Sequence, residues 1–247
     1  MKSPTSKQVF YSLELLRLTK SDTQTLVLGH IAYHHAKHGA FNSSMGAIAK
    51  YLNYSVNAVK NAVLNLSNVV DKKGEPLIKV ELSKESYNRR IKLNSKHELG
   101  FKLLQSYHQI VNQYGQTKQV LNLYSVRLNE FKTKHRYDSR HAHKVLMLKS
   151  LINTKIQSNL RNSKENKTTY KQTISMLMKK LDWSFVTIKN LISSIQAEQA
   201  LIISLDRIKN AAVYVFTSIT ESVNVRQQPS EPKKVKGKDT PWLDKYQ

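Results

Sequence analysis

Between Asn42 and Leu66 the apolar positions fall into two short helical groups separated by a polar turn. Ile48, Ala49 and Leu52 form one face of a first helix, at spacings of three and four. Asn53-Tyr54 makes a tight connection to Ser55, whose hydroxyl can accept from an orphan backbone N–H and so cap the next helix. That second helix is predicted to bury Val56, Val59, Val63 and Leu66. Its other side carries Asn57, Ala58, Lys60, Asn61 and Asn65, which are short or polar and include no acid. Such a surface suits a helix lying in a DNA major groove.

The same pattern recurs. Adding 129 to each number aligns Ala49–Leu66 with Met178–Ile195, placing Lys50 on Lys179, Leu52 on Leu181, Ser55 on Ser184, Lys60 on Lys189 and Asn61 on Asn190. Tyr54 falls on Trp183, Asn53 on Asp182 and Val59 on Ile188. Internal repeats decide architecture, so two copies of one unit are expected.

Around these cores the remaining elements take shape. Val9, Phe10, Leu13, Leu15 and Leu16 form a short apolar segment within Ser3–Lys20 that should pack on the first unit. Ser21 caps a helix over Asp22–His38, which Gly39 closes in the left-handed conformation. Leu77–Glu81 and Arg90–Leu93 alternate as strands around a polar loop, Ser83–Arg90, read as a wing. Glu98–Asn112 is predicted helical, and Val120–Leu128 a strand with a helix as the alternative. A long helix spans Ser139–Leu160, Thr168 or Thr169 opens the second helix pair, and Leu201–Leu205 with Ala211–Phe216 supply its strands around a shorter turn, Asp206–Asn210. The predicted fold is mainly α with small β-wings: a first winged-helix domain at 1–95, a linker region at 96–138, and a second at 139–225. Residues 226–247 are rich in Pro, Gly and Lys and poor in apolar side chains, so a disordered basic tail is expected. Trp242-Leu243 near its end is read either as a docking peptide or as part of an inert tail.

Charge sharpens the functional reading. Forty Lys and Arg stand against 17 Asp and Glu, a formal charge of +23. Such an excess attracts polyanions, and the basic residues are dispersed instead of forming one membrane-binding stripe. No apolar run approaches the roughly 20 residues of a membrane span, and the opening residues lack the apolar stretch of a signal peptide. The absence of cysteine excludes disulfides and thiolate metal sites within the chain. A cytoplasmic, nucleoid-associated location is expected.

From Thr23 to Leu66 the chain resembles the helix-turn-helix family found at the N-termini of plasmid and phage replication proteins. The likeness rests on Ile31-Ala32, on Ser44-Met45-Gly46-Ala47-Ile48-Ala49, and on Ser55-Val56-Asn57-Ala58-Val59-Lys60. Where that family often carries Trp-Pro, this chain has Asn42-Ser43. Two winged helices on one chain are similar to initiators that read repeated origin sites, so the resemblance implies origin binding; composition and spacing imply DNA binding alone. A transcriptional regulator is the alternative, and an architectural binder a third class.

The candidate DNA contacts are Ser43, Ser44, Ser55, Asn57, Lys60, Asn61 and Asn65 in the first unit, with Lys84, Tyr87, Asn88, Arg89 and Arg90 in the wing. In the second unit they are Thr168, Thr169, Ser184, Thr187, Lys189, Asn190 and Ser193. Asparagines can pair with adenine edges and lysines with guanine or phosphate. Hydroxyls at helix N-termini can meet phosphates. Double-stranded DNA is the expected partner, with host replication proteins engaging the tail and a homodimer as further possibilities.

Enzyme chemistry is not expected. His30, His34 and His38 share one helix face at metal-ligand spacing, but no carboxylate or cysteine accompanies them. His141-Ala142-His143, with Tyr137 or Tyr170 as a nucleophile, matches the residue types of rolling-circle nickases but lies at a helix start. Between Tyr87 and Leu181 the only acids are Glu98, Glu130, Asp138 and Glu165, too scattered for a two-metal site. No Gly-x-x-x-x-Gly-Lys loop is present to hold ATP. Neither cofactor nor metal is expected.

Overall fold

Ser21 and Gly39 set the limits of the helix on which the first half is built. The Ser21 hydroxyl accepts from the Gln24 N–H at 3.3 Å, and Gly39 takes φ +75°, a left-handed value that needs no Cβ. The computed structural model describes residues 7–82, 89–111, 121–128, 141–162, 169–197, 201–208 and 211–218. In chain order the elements are β1 (Gln8–Ser12), α1 (Leu13–Thr19), α2 (Asp22–His38), β2 (Phe41–Ser43), α3 (Met45–Leu52), α4 (Val56–Ser67), β3 (Ile78–Leu82) and β4 (Arg89–Leu93). They continue with α5 (Glu98–Val111), β5 (Leu123–Arg127), α6 (Ala142–Asn162), β6 (Thr169–Gln172), α7 (Ile174–Leu181), α8 (Phe185–Ala197), β7 (Leu201–Ile208) and β8 (Ala211–Ser218). The described chain is mainly helical, with small antiparallel sheets. None of its helices is long and apolar enough to cross a membrane.

Two segments share one topology. Each runs helix, strand, helix, helix, strand, strand, and in each the first strand pairs with the third, which pairs with the second: β2-β4-β3 and β6-β8-β7. The shift of 129 maps the bounds of α3 onto those of α7. It also maps the buried set: Phe41, Met45, Ile48, Leu52, Val59, Ala62, Val63 and Leu66 fall on Tyr170, Ile174, Leu177, Leu181, Ile188, Leu191, Ile192 and Ile195, all buried.

The stretches flanking the first repeat are tied into it. Val9 and Tyr11 alternate with Phe10 as β1, which pairs with β5 over Gln8↔Arg127 to Ser12↔Leu123. The predicted apolar segment is thus a strand followed by a helix, with Ser12 accepting from the Leu15 N–H at 3.1 Å to cap α1. Helix α5 packs on α2, and α6 packs on β5 and α8. Gly29 is required where α2 crosses β1, since a Cβ there would lie 2.0 Å from the Phe10 carbonyl oxygen. Tyr107 donates to that same oxygen at 2.6 Å.

One apolar core runs from Val9 through Leu66 to Ile195 and Phe216, joining the two halves. Tyr11 Oη donates to the Met147 carbonyl at 2.8 Å, and burial holds its phenol well above the usual pKa.

Three expectations need correction. Val56, the first residue of α4, is 42% exposed, and Ala62 lies on the buried face with Val59, Val63 and Leu66. Thr169 lies in β6, paired with Thr217, and α7 starts five residues later at Ile174. The second strand pair extends past its expected ends, to Ile208 and Ser218, with Ile208 opposite Ala211.

Candidate nucleic-acid interface

Both helix pairs are assembled by the same local chemistry. Ser44 and Ser55 accept from the N–H groups of Ala47 and Ala58, each at 3.1 Å, and so cap α3 and α4. In the second half Thr173 and Ser184 accept from Met176 and Thr187, each at 3.2 Å. The turn residues Asn53 and Asp182 sit at φ +59° and +56°, the left-handed region that Asn and Asp tolerate better than other side chains. Thr173, not Thr168 or Thr169, is the counterpart of Ser44, and adding 129 to that serine identifies it.

Burying one face of each second helix leaves a defined outer stripe. In α4 the residues at positions 1, 2, 5, 6, 9 and 10 are exposed: Val56, Asn57, Lys60, Asn61, Leu64 and Asn65. In α8 the corresponding exposed residues are Phe185, Val186, Lys189, Asn190 and Ser193, with Ser194 half-buried. Neither helix contains an acid. The ion pairs Lys92–Glu81 and Lys102–Glu98 involve no residue of either helix. Two lysines and several amides therefore face outward with their donors available to an acceptor-rich ligand.

The remaining predicted contacts are distributed unevenly. Antiparallel pairing sets Arg90 opposite Asn42 and Arg89 opposite Ser43, one residue from the N-cap of α3. Both arginines are exposed, and as neighbours on one strand they project to opposite faces of the sheet. Ser184 and Thr187 hydroxyls bond each other at 2.9 Å and serve the α8 cap. Ser193 donates to the Lys189 carbonyl at 3.1 Å, leaving its oxygen as an acceptor. Lys84, Tyr87, Asn88 and Thr168 lie outside the described residues.

Adjacent residues of α6 hold the two turns. His143 is buried, stacks on Tyr54 with centroids 3.8 Å apart, and approaches the Leu52 carbonyl through Nε2 at 2.7 Å. Next to it, the Lys144 ammonium lies 5.7 Å from the Trp183 ring centre. Tyr54 and Trp183 are repeat counterparts, so both turns meet the N-terminal end of one helix. Burial lowers the His143 pKa, although the bond to Leu52 opposes this. The ring is a tie between the halves, joining α6 to the turn that follows α3.

The His30, His34 and His38 row lines a cavity of about 450 Å³ with Phe41, Asn42 and Tyr51. His30 packs against Tyr51 and Phe41 with centroids 4.4 and 5.5 Å apart. Burial, then the neighbouring His34, pushes its pKa down to about 3, so the ring is neutral near pH 7. Among the described residues no three His, Asp or Glu side chains are placed to hold a metal ion. Tyr170 is likewise buried; its pKa is pushed up to about 12, and it accepts from Lys180 Nζ at 2.9 Å. Tyr137 lies outside the described residues.

No protein-family model and no curated protein matches the chain.

Proposed function

We propose that the chain is a tandem winged-helix protein that binds double-stranded DNA in a sequence-specific manner, acting as a replication initiator at the repeated sites of a plasmid, phage or mobile-element origin. The observation that carries this reading is the repeated, acid-free stripe on α4 and α8 above matched buried faces. The strand order of each repeat suits a wing between its last two strands, and the net charge of +23 suits a polyanionic partner.

In this mechanism α4 and α8 each enter a major groove. Asn57, Asn61 and Asn190 pair with adenine edges, while Lys60 and Lys189 reach guanine or phosphate. The N-termini of α3 and α7, capped by Ser44 and Thr173, receive phosphates on their backbone N–H groups. Arg89 and Arg90, on the strand paired with Asn42 and Ser43, add phosphate contacts. Linking two readers on one chain raises affinity without new contacts. Host replication proteins would be recruited through residues 226–247.

Selection from a random duplex pool followed by footprinting tests the proposal. Protected short direct repeats beside the protein's own gene, with local melting, support an initiator. A protected palindrome over a promoter would make it a transcriptional regulator using the same surface. Uniform protection, or a slope of log affinity against log salt shallower than about −3, would contradict specific binding through many phosphates.

A further inference from the structure

The two stripes match in position but differ in chemistry at the end where base contacts are made. At helix positions 1 and 2, α4 carries Val56 and Asn57, whereas α8 carries Phe185 and Val186. Phe185 is 51% exposed and Val186 63%, so neither serves the core. Val56 and Leu64 on α4 are exposed as well, so position 1 is apolar in both helices, and the difference at this end lies in the ring of Phe185 and in Val186 where α4 has Asn57. One turn beyond Phe185 and Val186, on the same face, stand Lys189 and Asn190.

Two adjacent side chains make a patch far smaller than the roughly 800 Å² per partner of a stable protein interface. Their companions on the stripe are a cation and an amide, which suit an anionic, hydrogen-bonding ligand. In a major groove the one apolar group on a base edge is the thymine 5-methyl. We infer that α8 reads thymine through Phe185 and Val186, so that the two repeats recognise non-identical half-sites and the one beneath α8 is richer in thymine. The inference rests on the proposed duplex binding and assigns the specificity of its second reader.

Replacing thymine by deoxyuridine removes only that methyl, and it tests the unaltered protein. With a selected duplex, the substitution is made in one half-site at a time; the half-site under α8 is the one whose base preference Asn190→Ala relaxes. The expected result is a loss of about fourfold in affinity per contacted methyl under α8, the value of burying one such group, and a smaller loss under α4. Phe185→Asn with Val186→Asn should bind thymine and deoxyuridine duplexes equally; both positions are exposed, so the fold is retained. Tight binding of the parent duplex with no methyl dependence, or with equal dependence in both half-sites, overturns the thymine assignment while duplex binding stands. Failure to bind any duplex overturns the underlying proposal and this one with it.

Discussion

The two repeats are alike inside and unlike outside. Eight buried positions keep register across the shift of 129, although most of the paired residues differ, as with Phe41 and Tyr170 or Ala62 and Leu191. Interior packing accepts such exchanges when volume and pattern are conserved overall. On the outer stripe Lys60 and Asn61 keep their identity as Lys189 and Asn190, while Asn57 becomes Val186 and Asn65 becomes Ser194. Exposed positions carry little folding energy, so under the proposed duplex binding the retained pair is assigned to contacts both repeats share and the changed positions to contacts that differ.

The supports differ as well. The first repeat is framed by β1, α5 and β5, and its cavity is lined by the histidines of α2. In the second repeat Lys180, whose pKa burial lowers, stands where the first has Tyr51, and it bonds Tyr170 and Gln172.

The largest expected effect comes from the shared core. Leu52→Ala and Leu181→Ala each remove a fully buried side chain at matched positions and should destabilise by about 2–5 kcal/mol. Because one core joins the halves, both variants should shift a single urea transition followed by circular dichroism. Two transitions, with each variant moving only its own, would break the picture of a common core.

Acid should destabilise the fold through the histidines of α2. His30, His34 and His35 on α2 all have pKa values below the ordinary 6.5, burial being the first cause of each. In the unfolded chain His30 takes up a proton near pH 6.5, while in the folded chain it stays neutral to about 3. Between those values the unfolded state holds more protons, so stability falls as pH drops, at about 1.4 kcal/mol per unit for one such histidine. His30→Phe keeps a ring against Tyr51 and should flatten the dependence of the urea midpoint on pH between 6.5 and 4.5. A slope unchanged from the parent would place the acid sensitivity elsewhere.

A smaller effect compares the caps. Ser44→Ala and Thr173→Ala each remove one hydroxyl bonded to a backbone N–H, and each should cost about 1 kcal/mol by chemical denaturation. Thr169→Ala, in a strand and not at a helix start, should cost less than either.

Much of this architecture was legible locally. Ser21, Gly39, Ser55 and the shift of 129 mark helix ends through side-chain chemistry that acts within three or four residues. Thr173 was hidden because the run Thr168–Thr173 offers several possible caps, and only the repeat register singles one out. Val56 fits the buried spacing of α4, but whether the first residue of a helix is covered is decided by tertiary packing, not by spacing. The pairing of β1 with β5 joins residues more than a hundred positions apart, and no local periodicity encodes it. At the candidate interface the stripe was visible as a pattern. The exposure of Phe185 beside Val186 and the meeting of both turns on α6 emerged only from packing.

The most direct test of the central claim uses the absence of cysteine from the chain. Asn68→Cys and Ala197→Cys place single thiols at matched, exposed positions where α4 and α8 end, and each can carry an iron chelate that cleaves nearby DNA. Both conjugates should cut a selected duplex at discrete and separate loci, while Gln105→Cys on the outside of α5 should cut at neither. Absence of cutting from the two stripe positions, or cutting from Gln105→Cys at the same sites, would contradict the claim that both helices face the double helix.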